Sequence, residues 1–421
     1  MSRYEALGRR IDDAWRRANR DEQRFADIAF EALSSFEPDG FDLNEIGRFL
    51  IGTPVRQQPS QFSNLPVTLY RGEGFHVELL VWTTGSTAIH QHAFSGAFRV
   101  IVGSSLHSDY RFIERQRINS HLLIGDIEMI GMRLLKVGDV LPIAAGREGL
   151  VHALFHLDEP SVTLVARTGW ESAGGPQYEL IPPRFAFDGR WANGDERIAM
   201  IDRWLGVTGD LGANELPEPF LDKLLELDPA RLFAVVSKHP GRFSDQVFQN
   251  GFREKLAAHH PLLADRLPDV ARFKRQQSAL VTTRRLIKDP DLRFFVALLL
   301  NAGSRPQILD TIRERHPGVD AEAQCIDWLL ALGDPARLGT AFRDRSPLLL
   351  RLSMALDAAG DLAGTLVATI VRGLPADRID LGPDEGARRS GVEQAYRALS
   401  TAPELSALFN PLGAIRYAHA Q

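Results

Sequence analysis

Two histidines one residue apart, His90-Gln-His92, are the part of this sequence best suited to chemistry. On a β-strand, side chains at i and i+2 leave the same face with origins about 7 Å apart. Two imidazoles so placed can reach one metal ion, and a ligand from another strand would complete the set. His152, in Gly149-Leu-Val-His152, is the candidate third ligand. An H-x-H pair alone is a weak signal. Its surroundings strengthen it: Gly85 precedes the pair, Gly103 follows the next strand, and Pro142 and Gly149 precede His152. Imidazoles accept iron, nickel, manganese or copper, so the donors predict a transition-metal site without choosing the ion. His156 shares the strand face of His152, but i+4 is about 13 Å along a strand. It therefore reads as a polar residue behind the ligands or in the core. His76, His107 and His121 read as ordinary surface or hydrogen-bonded histidines.

The elements that must carry these residues lie between about 65 and 167. Short runs rich in Val, Ile, Leu, Phe and Thr alternate there with glycine-containing breaks. Strands are predicted over 77–83, 98–102, 132–137, 140–143, 150–155 and 161–167, which suggests an antiparallel barrel or sandwich. Before it, Leu7, Ile11, Trp15, Phe25, Ile28, Ala29 and Leu33 recur at helical spacing over 1–36, and a short helix follows over 43–51. After 195 the texture is helical. Asp228-Pro-Ala-Arg-Leu232, Asp289-Pro-Asp-Leu292 and Asp334-Pro-Ala-Arg-Leu338 each place Asp at the N-cap and Pro at the first helical position. The spacing of these starts is uneven, so capping explains them as well as a repeat does. The predicted class is α+β multidomain: a helical lead at 1–61, an antiparallel β-barrel at 62–185 and an all-helical domain at 195–421.

The chain has 421 residues, 44% apolar and 24% charged, with a net charge of -5. That mixture excludes a disordered chain, a collagen and a disulfide scaffold. There is no basic excess to suggest a nucleic-acid partner. The single cysteine, Cys325, excludes an internal disulfide and a cysteine-based zinc site. The charged N-terminus lacks an apolar signal-peptide core, and apolar runs such as 294–300 fall short of the ~18–20 residues that span a bilayer. The expectation is a cytoplasmic protein without a membrane partner. No phosphate-binding P-loop and no G-x-S-x-G elbow is present.

The motif around the pair resembles the cupin superfamily. Its first motif appears as Gly85-STAI-His90-Q-His92-AFS-Gly96-AFRVIV-Gly103, and its second as Gly149-LV-His152-ALF-His156. Gly96 stands where most cupins carry a metal-binding Glu, and His156 where they often carry Asn. Without that glutamate the set is similar to the three-histidine, cysteine dioxygenase-like branch. Gly74-Phe-His-Val-Glu-Leu-Leu-Val-Trp82 and Glu159-Pro-Ser-Val-Thr-Leu-Val-Ala-Arg167 also follow that branch, and the likeness covers about 62–183.

The resemblance implies Fe(II) on His90, His92 and His152, O₂ as co-substrate, and oxygen insertion into a metal-chelated anionic substrate. The branch carries a Ser–His–Tyr relay on its last strand, and the positions here are Thr163, Val165 and Arg167. Loss of the relay argues against free cysteine as substrate. Arg167 reads either as a bidentate anion holder facing the pocket or as a solvated arginine at a strand end. Arg71, just before the Gly-x-Phe strand, is a second candidate to grip a substrate carboxylate. Thr163, like His156, would sit behind the ligands. The substrate would be a small molecule or a peptide. The helical domain would cap the pocket, dimerise or grip the substrate. Other readings are a metal- or ligand-binding cupin without turnover, its helices a partner-binding scaffold, and a metal-dependent isomerase or lyase.

Overall fold

The computed structural model describes residues 2–38, 40–58, 62–83, 85, 87–146, 148–169, 175–213, 215–334, 346–379 and 385–411. The strands are β1 (Leu65–Arg71), β2 (Phe75–Trp82), β3 (Ile89–Gln91), β4 (Gly96–Val102), β5 (Ser105–Arg117), β6 (Leu122–Leu135), β7 (Val140–Ile143), β8 (Val151–His156), β9 (Ser161–Thr168), β10 (Glu179–Ile181) and β11 (Phe185–Phe187). Five form an antiparallel sheet in the order β1-β2-β9-β4-β7. The other six close on themselves in the order β10-β11-β6-β5-β8-β3.

Strands β2 and β9 are buried on both faces, so they read as nearly continuous apolar runs. On one face Phe75, Val77, Leu79 and Val81 join Val162, Leu164 and Ala166 beneath the N-terminal helices. On the other, Leu80, Trp82 and Val165 join Phe98 and Val100 of β4 and Leu154 of β8. The layer between the two groups of strands is therefore built from alternate residues of each strand.

The predicted helix over 1–36 is two helices, α1 (Ser2–Arg17) and α2 (Phe25–Ser34). The break falls at Asn19 and Arg20, both with positive φ (55° and 54°). The chain turns there because Trp15 Nε1 donates to the Asp21 carbonyl at 3.0 Å. The buried Arg99 of β4 donates to the Leu33 and Ser34 carbonyls at 2.8 and 3.0 Å. It satisfies orphan carbonyls at the end of α2 and fastens that helix to the sheet. The next helix, α3, spans Leu43–Gly52.

The helical starts at Asp228 and Asp289 form as capping chemistry dictates: each carboxylate accepts two backbone N–H groups at the head of its helix. Residues 335–338 of the third such segment lie outside the described residues. The helices pack directly on the strands. One cluster joins Leu122, Ile124, Phe185 and Phe187 to Phe233, Val236 and Leu267. A second joins Leu106, Leu134 and Phe155 to Phe294, Phe295 and Trp328. A cut at residue 195 would divide both. Leu348–Val371 is, by length and composition alone, apolar enough to cross a membrane, which scanning for runs like 294–300 did not anticipate. In the fold it is broken at Gly360 (φ 57°), and Leu348, Leu352, Leu366, Val367 and Ile370 are buried in the second cluster.

Candidate metal centre

His90 stands directly opposite His152 in the β3–β8 register, and His92 follows just past the end of β3. One ring nitrogen from each of the three lies within 4.8 Å of the other two, and all three residues are buried. The ring centroids are 4.7–4.9 Å apart. The cluster faces the five-stranded sheet: Phe98 of β4 lies 6.0 Å from the His152 ring. Among the described residues this is the one group of His, Cys, Asp and Glu placed to hold a metal.

Local chemistry fixes the approach of the two strands. Thr87 pairs with Leu154 in both directions, its N–H donating at 2.8 Å and its hydroxyl accepting at 2.7 Å. That lays β3 along β8. Ahead of β8, the Gly146 N–H donates to the His92 carbonyl at 2.8 Å. At Gly149 a Cβ would collide with the Ala144 carbonyl, so the turn into β8 closes only around glycine.

The hydrogen bonds select the free nitrogen on two of the rings. Nδ1 of His90 donates to the Ala88 carbonyl at 2.8 Å, and Nδ1 of His92 to the Leu150 carbonyl at 3.1 Å. A carbonyl only accepts, so the ring proton sits on Nδ1 and the lone pair on Nε2. Nε2 of His90 is buried with no protein partner. On His152, Nδ1 pairs with Nε2 of His107 at 2.8 Å, which again leaves Nε2 for a ligand. Burial lowers the pKa of His90, and burial together with the neighbouring rings holds His92 and His152 well below the usual histidine value. A neutral imidazole is the form that binds metal. An orphan lone pair, three neutral donors and fixed tautomers on two of them fit a bound transition-metal ion.

No carboxylate joins the set. Gly96 of β4 pairs with Arg167 on β9. A Cβ there would strike the Ala166 carbonyl and come within 2.9 Å of Arg167 Cα. The backbones pass too closely for any side chain at the position where cupins carry glutamate.

A second buried group of charges lies on the same layer. Arg167 points inward beside Phe94, its guanidinium carbon 4.7 Å from that ring, and Nε donates to Glu78. His76 Nε2 is 3.5 Å from the other Glu78 oxygen. Burial works against the Glu78 charge, but His76 and Arg167 together hold its carboxyl down at about 2. The remaining positions scatter. Thr163 is buried on β9, on the face shared by Val165 and Arg167. His156 stacks on Trp82 at 4.4 Å, and its Nδ1 bonds the Ser105 and Ser161 hydroxyls at 3.0 and 3.1 Å. Arg71 is exposed at the end of edge strand β1, opposite His76 in the β1–β2 register, and His76 in turn stands opposite Arg167. His121 bonds Asp188 at 3.1 Å and stacks on Trp191.

Sequence reasoning passed over two residues. His107 is fully buried against His152, and Glu78 is the partner of Arg167. The alternation Ser105, His107, Asp109 was the available signal for the first. For the second it was an inward-facing glutamate on a strand already buried on both sides. Searches of protein-family models and of curated proteins return no match to this chain. The buried triad within β-barrel strands fits a cupin-like metal site.

Proposed function

We propose that this chain is a mononuclear non-haem Fe(II) oxygenase of the cupin jelly-roll type, similar to the thiol dioxygenases and acting on an anionic small molecule or peptide in the cytoplasm. The observation that carries the reading is the convergence of three buried, neutral imidazoles with no carboxylate among them. Fe(II) held by three neutral ligands keeps its full charge and supplies a redox centre with open positions for a chelating substrate and for O₂. The protein's own groups do the rest. The carbonyls of Ala88 and Leu150 fix two ring orientations. Trp82, Phe94, Phe98 and Val100 exclude water from the layer.

Arg167 recognises the substrate anion in this reading. Glu78 engages its Nε, and the two Nη atoms make no hydrogen bond to a described residue. That edge is the planar fork that grips a carboxylate or a thiolate's neighbouring carboxylate. Arg167→Lys keeps the charge and loses the fork. It should weaken substrate binding by about 1–3 kcal/mol and leave metal content unchanged, as read by substrate titration and metal analysis of one preparation.

The test of the reading is oxygen uptake by anaerobically Fe(II)-loaded protein mixed with a panel of small thiols, carboxylates and thiol-ended peptides, with product masses recorded. Uptake matched by a mass gain of one or two oxygen atoms is the expected result. Iron binding without uptake for any compound would favour a metal-binding cupin without turnover. Conversion under strict anaerobiosis would favour an isomerase or lyase.

A further inference from the structure

The third ligand differs from the other two. Nδ1 of His152 meets no backbone carbonyl; its partner is Nε2 of His107, 2.8 Å away. An imidazole nitrogen can give or take the proton in such a bond, and the ring's other nitrogen decides which. At His107 two groups compete for that nitrogen. Arg133 stands opposite His107 on β6, and its Nε donates to His107 Nδ1 at 3.5 Å. Asp109, two residues along β5, places Oδ1 at 3.5 Å from the same atom.

The two partners demand opposite tautomers. If His107 Nδ1 accepts from Arg133, its proton sits on Nε2 and points at His152 Nδ1. His152 then carries its own proton on Nε2, where a metal must bind. If His107 Nδ1 donates to Asp109, Nε2 accepts from His152 Nδ1–H, and His152 Nε2 shows a bare lone pair. Both states hold the same number of protons. One has two ready ligands and the other three.

We propose that His107 is a positioning residue that sets the tautomer of His152, with Asp109 favouring the three-ligand state and Arg133 the two-ligand state. The inference rests on the metal-site reading in taking Nε2 as the ligand atom. A partner behind a ligating histidine fixes its tautomer and commonly carries 10–100-fold of metal affinity.

The probe is Co(II) titrated into the full chain, with histidine side-chain ¹⁵N shifts recorded without metal and with Zn(II). Metal should move the proton of His152 to Nδ1 and that of His107 to Nδ1. His107→Phe should lower Co(II) affinity about 10–100-fold. His107→Gln should recover most of it, because its amide oxygen accepts from His152 Nδ1. Asp109→Ala should weaken binding and Arg133→Gln should tighten it, opposite signs that a purely structural His107 would not produce. If His107→Phe fails to fold, the Asp109 and Arg133 pair still decides. Equal affinity of wild type and His107→Phe, or shifts of the same sign in Asp109→Ala and Arg133→Gln, would overturn the inference and leave the metal site standing. A wild-type chain that takes up no Co(II) would overturn both.

Discussion

Two buried ionisable clusters share the layer between the strands, and they handle charge in opposite ways. Glu78, Arg167 and His76 form a compensated group, in which each charge has a partner from the chain. His90, His92 and His152 make no ion pair; burial outweighs the pull of Glu179 on His90, keeps the three neutral and leaves lone pairs facing one another. Buried polar groups are ordinarily satisfied by other protein groups. In the first cluster the Glu78 carboxylate accepts from Arg167, while His76 Nε2, 3.5 Å from the other Glu78 oxygen, makes no hydrogen bond; in the second, Nε2 of His90 has no partner of either kind among the described residues. The difference separates a group built around an ion pair of the chain's own charges from a set of neutral donors arranged as a metal site requires.

The comparison breaks most sharply at Glu78. Glu78→Gln leaves the half-buried Arg167 guanidinium beside a neutral amide. Removing one partner of a fully buried pair costs about 3–5 kcal/mol, and the partial exposure of Arg167 brings the expected loss to about 2–3 kcal/mol. Urea unfolding should show that loss, while metal stoichiometry stays at the wild-type level. A loss below about 1 kcal/mol would place the pair among the weak, solvent-screened ones instead.

A smaller effect tests why the histidine cluster lacks a carboxylate. Gly96→Ala should cost about 1–3 kcal/mol through overpacking against the β9 backbone. Unchanged stability in that variant would mean the strands can part, and a glutamate ligand could then be grafted there.

The smallest effect is per group and comes from pH. Below about 6.5 the unfolded chain protonates its histidines, while His90, His92, His107 and His152 resist, with His107 held at about 3 by burial and by Arg133. The unfolded state then binds more protons, so stability falls as pH drops. The slope is on the order of 1.4 kcal/mol per pH unit for each such histidine. Glu78, held at about 2, adds its own loss only below about 4.5. Metal-free protein should lose stability between pH 7.5 and 5.5 and regain it on adding Zn(II). A flat profile would show that the imidazoles are solvated and protonated in the fold.

The H-x-H pair and the later-strand histidine were legible because β-strand parity and one glycine before each segment sufficed to align them. Parity with Thr163 and Val165 left Arg167 open between a pocket-facing and a solvated arginine, and its contact with Phe94 shows it beside the inner layer. Its partner was not legible, since Glu78 meets Arg167 through the β2–β9 register, which local sequence does not encode. His107 was hidden for a different reason. The strand Ser105–Arg117 runs from a buried start to an exposed, charged end, so its composition reads as a loop. The helical starts at Asp228 and Asp289 were legible from capping chemistry. The docking of those helices on Leu106, Phe155 and Phe185 was not, because contacts so distant in sequence leave no local pattern.

The central claim is that the three imidazoles bind one transition-metal ion. X-ray absorption on anaerobically Fe(II)-loaded protein tests it most directly, with the His92→Ala variant run alongside. The account predicts about one ion per wild-type chain, with imidazole nitrogens near ~2.0–2.2 Å, and little or no bound iron in the variant. Iron bound equally by both proteins, or a shell of oxygen ligands without imidazole, would contradict it.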